Sequence, residues 1–168
     1  VSSKFAELAI ENNSDGSFLS AGISYGTSLK IITHLLDSKV KNINYFLIDN
    51  YQNIGDGNYN TDINYVKKDL HDIKNFNFKF ILDLLNKSSL NRIDNNLIFS
   101  HINIGKFESE YEFLPEIINK TKNKGIILID NYGAYSQPEI KKLDDFISGK
   151  SNLYKIIFPS LQCVIIKF

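Results

Sequence analysis

Four apolar runs set the terms for this chain: "SFLSAGI" (Ser17–Ile23), "INYFLIDN" (Ile43–Asn50), "NLIFSHINI" (Asn96–Ile104) and "GIILID" (125–130). None alternates regularly with polar residues, so each expects cover on both faces. A helix reads between most of them. Strands buried on both sides and joined by helical crossovers imply a parallel sheet with helices on each face.

The connecting segments carry their own signals. "KFAELAIENN" (Lys4–Asn13) reads as a short helix outside the core. "GTSLKIITHLLDSK" places Leu29, Ile31, Ile32, Leu35 and Leu36 at helical spacing. "INYVKKD" (Ile63–Asp69) reads as a third strand, and "NFKFILDLLNKSS" as a helix with Phe78, Ile81, Leu82 and Leu85 on one stripe. The Asn- and Gly-rich stretch "NYQNIGDGNYNTD" has turn signals at Gly55 and Gly57. "ESEYEFLPEIINKTKNK" is a helix that Pro115 kinks or restarts. "SQPEIKKLDDFISG" has Pro138 near a helix start and Gly149 as its stop. Its run "KKLDD" is a solvated face, with Leu143 and Phe146 turned inward. The tail "YKIIFPSLQCVIIKF" reads as two antiparallel strands. The fold class is α/β: a doubly wound, mostly parallel sheet with helices on both faces and an antiparallel C-terminal edge hairpin.

No repeat or Pro/Gly/Ser-rich linker divides the 168 residues, so one domain over 1–168 is expected. Nineteen basic and nineteen acidic side chains cancel. Without a basic cluster there is no electrostatic footprint for nucleic acid or an anionic membrane. No apolar run approaches the roughly 20 residues of a membrane span, and no signal peptide opens the chain, so the expected location is cytoplasmic. The chain starts at Val1 and has no methionine, which leaves a native start upstream open. Its one cysteine, Cys163, excludes an internal disulfide and a cysteine-based zinc site; its β-rich setting favours a buried thiol.

Ligands of such sheets sit outside the carboxyl ends of the strands. After the first strand comes "AGISYGTS", where Gly22 and Gly26 flank a turn, Tyr25 lies between them and Ser28 opens the helix. Glycines let the backbone approach a ligand, and the same pair serves a tight strand–helix turn. The spacing is neither the GxGxxG fingerprint nor a P-loop. Asp49 ends the second strand, placed to accept ribose hydroxyls or to cap a turn. Asp69, with Asp72 behind it, follows the expected third strand and would reach an adenine edge or cap the next helix. His101 and Asn103 point the same way on the fourth strand. His101 is either a hydrogen-bonded core histidine or a ligand, while His34 and His71 read as surface residues. Asp130, Asn131 and Tyr132 end the fifth strand. Asp130 and Asn103 offer two oxygens, thin for a hard cation.

This layout resembles class I S-adenosylmethionine-dependent methyltransferases, which implies a Rossmann-like methyltransferase fold. From Ser100 onward, "SHINIGKFESEYEFLPEIINKTKNKGIILIDNYGAYSQPEIKKLDDF" is similar to the macrocin O-methyltransferase family. That family carries a His-Ile-Asp-x-Asp strand end, an Asp-Asp-Tyr-Gly strand end and a Lys-x-x-x-Asp-x-Phe helix. "FPSLQCVIIKF" resembles its Leu-Pro-Thr-Gly-Gln-Gly-x-x-x-Lys ending. The resemblance implies S-adenosylmethionine bound over Gly22–Ser28 with its ribose on Asp49. It implies a magnesium position made by Asn103, Asp130 and Asn131, and a base position at Gly105. Of these only Asp130 is an acid, so magnesium binding is expected to be weak or absent. Ser20 stands where the family has a cofactor-contacting acid, and the long N-terminal and lid segments of family members are mostly missing.

The leading expectation is therefore O-methylation of a sugar or other small hydroxylated molecule, with His101 or Asp130 taking the hydroxyl proton. A catalytically degenerate relative that binds a nucleotide-like ligand or a protein partner is the alternative. A nucleotide-sugar modifier is disfavoured for want of a phosphate-binding loop. The expected partner is a small-molecule acceptor, with no nucleic acid and no membrane; a homo-oligomer stays open.

Overall fold

The computed structural model describes residues 1–50, 63–103, 112–132 and 137–168. In chain order its elements are α1 (Ser2–Asn12), β1 (Ser17–Ala21), α2 (Thr27–Leu36), a 3-10 turn (Asp37–Lys39), β2 (Ile43–Ile48), α3 (Ile63–Asp69) and β3 (Phe76–Ile81). Then follow α4 (Lys87–Leu90), β4 (Leu97–Ile102), α5 (Leu114–Lys120), β5 (Thr121–Ile129), α6 (Gln137–Ser148), β6 (Leu153–Ile157) and β7 (Cys163–Lys167). Among the described residues the sheet order is β3-β2-β1-β4-β5-β7-β6. The first five strands run parallel, and β7 is antiparallel to both β5 and β6.

Burial explains why the central strands read so clearly. Every residue of β1 and β4 is buried, as is 125–129 of β5. Alternate side chains feed two cores. One face carries Phe18, Tyr45 and Leu128 beneath α1, α2 and α3; the other carries Leu19, Ile48 and Ile129 beneath α4, α5 and α6. On the first face, Phe18 stacks edge-on to Tyr45 at 5.3 Å and packs on Phe76 and Phe99 at 5.7 and 5.3 Å. Each such pair contributes about 0.5–1.5 kcal/mol beyond its area.

Two expectations are corrected. Ile63–Asp69 is a helix, not the third strand. The third strand is Phe76–Ile81, overlapping the segment read as a helix, and the only α-helix there is Lys87–Leu90 at its end. The reason is tertiary. Phe76–Ile81 pairs residue for residue with Ile43–Ile48, and Phe76 and Phe78 pack on Tyr45 at 5.8 and 6.1 Å. Asp37 fixes the start of this strand by accepting the backbone N–H groups of Lys74 and Asn75 at 3.1 and 2.7 Å. Pro115 sits in the first turn of α5, so it starts that helix and does not kink it. The turn signals at Gly55 and Gly57, the start of the segment read as the Pro115 helix, and Gly105 lie outside the described residues.

The C-terminal hairpin is stitched in. Lys167 Nζ donates to the carbonyl oxygens of Ile118, Asn119 and Thr121, closing the carboxyl end of α5. Among the described residues no helix is long and apolar enough to cross a membrane.

Candidate functional site

The strand order reverses between β1 and β4, so the crevice outside their carboxyl ends is where such a sheet takes a ligand. Two glycines shape its first wall. Gly22 has φ +75° and Gly26 φ +73°, both in the left-handed region. A Cβ on Gly22 would meet the Asn103 carbonyl oxygen at 2.1 Å, so the turn after β1 lies flush on the end of β4. The Asn103 N–H donates to the Ala21 carbonyl at 2.8 Å and the Gly22 N–H to the Ile48 carbonyl at 3.0 Å. Gly26 then caps α2, Tyr25 is exposed and Ser28 is half-buried.

Asp49 ties this turn down. Its Oδ2 accepts the N–H groups of Ile23 at 2.7 Å and Ser24 at 2.9 Å. Ser24 is held at φ +52°, a conformation that non-glycine residues adopt only under such constraint. Ser20 does not face the crevice edge: its hydroxyl pairs with the Tyr45 hydroxyl at 2.8 Å inside the core.

Asp69 is not at a strand end. It closes α3 and pairs with Lys30 at 3.1 Å. The residue the sequence reading missed is Asp83, just beyond β3. It accepts the Leu84 N–H at 2.8 Å and the Asn86 side-chain amide at 2.9 Å. The signal was present, because "FILD" repeats the "FLID" that ends β2. The match is one of sequence and not of register: Ile48 pairs with Ile81 and the Asp49 N–H donates to the Ile81 carbonyl at 3.2 Å, so Asp83 stands one residue further beyond its strand than Asp49.

The second wall comes from β4, β5 and the β6–β7 hairpin. His101 is 5% exposed, and its Nε2 lies 2.7 Å from Asp130 Oδ2. Gln162, immediately before β7, donates its amide to Asp130 Oδ1 at 2.7 Å. Burial raises the Asp130 pKa, but the hydrogen bonds from His101 and Gln162 and the nearby His101 charge outweigh it, leaving the carboxyl below its ordinary value. Asn131, at φ +57°, donates its side-chain amide to Asn103 Oδ1 at 3.1 Å. Gln162 was the second omission; it matches the Gln of the family-like ending, a cue quoted for the fold and not for the site. His34 and His71 are exposed, and Cys163 is buried with its thiol pushed up to about 12 by burial.

These positions fit a magnesium ion poorly. Asp130 is the one acid, both its oxygens already accept N–H groups, and Asn103 offers an oxygen that Asn131 already occupies. Among the described residues no group of three or more His, Cys, Asp or Glu side chains is placed to hold a metal. The glycine turn does suit a ligand brought against the backbone, since Gly22 is exposed and carries no side chain.

No protein-family model matches the chain, and no curated protein matches it. Solved structures do. The O-methyltransferase NovP superposes with TM-score 0.71 at 17% identity, over 98% of this chain and 77% of that one. An rRNA methylase from Streptococcus thermophilus gives 0.66 at 15% identity, over 99% and 94%. A methyltransferase from Podospora anserina, solved with S-adenosylhomocysteine bound, gives 0.66 at 9% identity, over 98% and 76%. The fold is that of a Rossmann-like methyltransferase. At these identities the likeness is one of architecture.

Proposed function

We propose that the chain, as one domain over 1–168, binds S-adenosylmethionine against the glycine turn and transfers its methyl group to a hydroxyl of a small molecule, with sugars or glycosides as the acceptor class. One observation carries the reading: the turn from Gly22 to Gly26 lies at the strand-order switch, flush on the end of β4 at Gly22 and tied down by Asp49 at the end of β2. Gly22, Tyr25, Gly26 and Ser28 would line the methionine end, and Asp49 the ribose. The cofactor supplies a methyl group on a positively charged sulfur. This chain supplies positioning, which accounts for most of the rate in an in-line displacement, and a group to take the hydroxyl proton, for which His101 beside Asp130 is best placed.

The finer assignment, toward macrocin-type O-methyltransferases, is supported by the His-Ile-Asn, Asp-Asn-Tyr and Pro-Ser-Leu-Gln stretches after Ser100. The balanced charge favours a small acceptor over RNA, although rRNA methylases are among the structural neighbours. Titration calorimetry with S-adenosylhomocysteine tests the reading: saturable binding that Asp49→Ala weakens is expected, and no heat at high ligand concentration would sink it.

A second reading has its own observation. The Asn103–Asn131 pair is closed on itself where an active relative would present acids, as in a catalytically degenerate protein that keeps a nucleotide-like ligand or a protein partner. Cofactor binding without turnover on any glycoside, with or without magnesium, would favour it.

A further inference from the structure

Asp130 is bound in a way that serves orientation and not metal ligation. Its two oxygens accept short hydrogen bonds from opposite sides, His101 Nε2 on one and the Gln162 amide on the other, both at 2.7 Å. One of the three residues lies in a strand and the other two directly adjoin neighbouring strands of the same sheet. His101 lies on β4 opposite Leu128 of β5, Asp130 follows β5, and Gln162 precedes Cys163, which pairs with Ile129. A constellation set by sheet register is held more firmly than one set by loops.

We infer that the ends of β4, β5 and β7 form a metal-independent reaction site, in which Asp130 and Gln162 are positioning residues for His101. Three observations converge. The magnesium positions implied by the family resemblance hold one carboxylate and two amides, which removes most of the attraction for a dication. The amides are spent on each other through the Asn131-to-Asn103 bond at 3.1 Å. A cation on either Asp130 oxygen would have to displace an N–H donor. With Oδ2 accepting from Nε2–H, the ring keeps its lone pair on Nδ1, the arrangement a proton acceptor needs.

Gln162 is itself deliberately placed. The preceding Leu161 has φ +58°, and its carbonyl accepts the Tyr132 N–H at 2.7 Å. The Gln162 carbonyl accepts the Phe158 N–H at 2.8 Å. A leucine held left-handed is a cost the hairpin bears in order to aim its neighbour across at β5.

The inference deepens the proposed methyl transfer and rests on it for the reaction; its metal and proton claims are read without cofactor. Manganese(II) titration of the full chain, followed by electron paramagnetic resonance, should leave the ion free, whereas Asn103→Asp with Asn131→Asp should gain a bound ion. Nitrogen-15 spectra of histidine-labelled protein should show His101 as the Nε2–H tautomer. Gln162→Ala should speed exchange of that proton about tenfold or more, the worth of one charge-assisted hydrogen bond, with the fold retained by circular dichroism. Stoichiometric manganese in the unmodified chain, an Nδ1–H tautomer, or a double variant that still ignores manganese overturns the inference. Calorimetry that finds no S-adenosylhomocysteine binding, with the manganese and tautomer results as expected, removes the methyl-transfer reading and leaves the metal-free site standing.

Discussion

Gly22→Ala asks whether close approach of the first crossover turn to β4 is what brings the two walls of the site together. Two costs add. An L-residue at φ +75° costs roughly 1–2 kcal/mol in the left-handed region. The new Cβ would also lie 2.1 Å from the Asn103 carbonyl oxygen and 2.9 Å from its carbon, backbone atoms that cannot swing aside. Overpacking of this kind costs about 1–3 kcal/mol, so the sum is about 2–5 kcal/mol. Two other glycines calibrate it. Gly26 has nearly the same dihedral, φ +73°, but a Cβ there meets only Val66 methyl groups at 3.3 and 3.4 Å. Gly26→Ala should therefore cost the conformational part alone, about 1–2 kcal/mol. Gly149 has no positive φ and its nearest neighbour is 3.6 Å away. Gly149→Ala should stabilise by about 0.4–1 kcal/mol, by narrowing the unfolded ensemble. Urea unfolding at constant m gives all three. Gly22→Ala should also speed hydrogen exchange at the Asn103 amide. If Gly22→Ala costs no more than Gly26→Ala, the close-approach argument is wrong.

Three further expectations follow from single contacts. Asp37→Ala removes the acceptor for Lys74 and Asn75 and should cost about 1–3 kcal/mol, with exchange accelerating in β3 but not in β1; uniform acceleration would count against a local role. Cys163, its thiol raised to about 12 by burial, should resist an aromatic disulfide reagent at about pH 8 in the native state and titrate as one equivalent in urea; native labelling would refute the burial. Asp130 has a folded pKa below its ordinary value, so its contribution is full above about pH 4 and is lost as pH falls through the folded value. Asp130→Asn should flatten the acid limb of stability below about pH 4, and urea midpoints that fall in parallel for both proteins would remove that linkage.

What could be read from the sequence follows burial. β1, β2, β4 and β5 lie inside the sheet with helices on both faces, so their residues form unbroken apolar runs that announce a parallel strand. β3 is an edge strand with an alternating pattern: Phe76, Phe78 and Phe80 on one side, Asn77 and Lys79 on the other. The same stretch also satisfies a helical stripe through Phe78, Ile81, Leu82 and Leu85, so local pattern left two solutions. Contacts with Tyr45 and Asp37, 31 and 38 residues away from Phe76 and Asn75, decide between them. α3 erred in the opposite direction. Val66 is its only buried residue, so "INYVKKD" had no apolar stripe to declare a helix. The displacement carried Asp69 off its expected place and hid Asp83.

The site was legible where its geometry is made by backbone and illegible where it is made by strand neighbours. Gly22, Gly26 and Asp49 sit beside one another in the structure because each follows directly from a strand end, and strand ends can be found by eye. Asp130 was named the same way, but its hydrogen-bond partner Gln162 was not. Reading down β4 suggested Asn103 as the second oxygen for a cation, because Asn103 and His101 share a side of the strand. In the folded chain the carboxylate instead faces His101 and, from the far side, Gln162, which is 32 residues later and arrives only because β7 inserts between β5 and β6. That insertion is a matter of sheet order and does not depend on the residue carried. It places a side chain from the hairpin beside β5 whatever residue stands there. A metal site would need acids at 103 and 131 to use the same geometry; with asparagines at both, the hairpin's glutamine can lock Asp130 against His101. The scaffold is common to both designs, and the difference lies in the two amides.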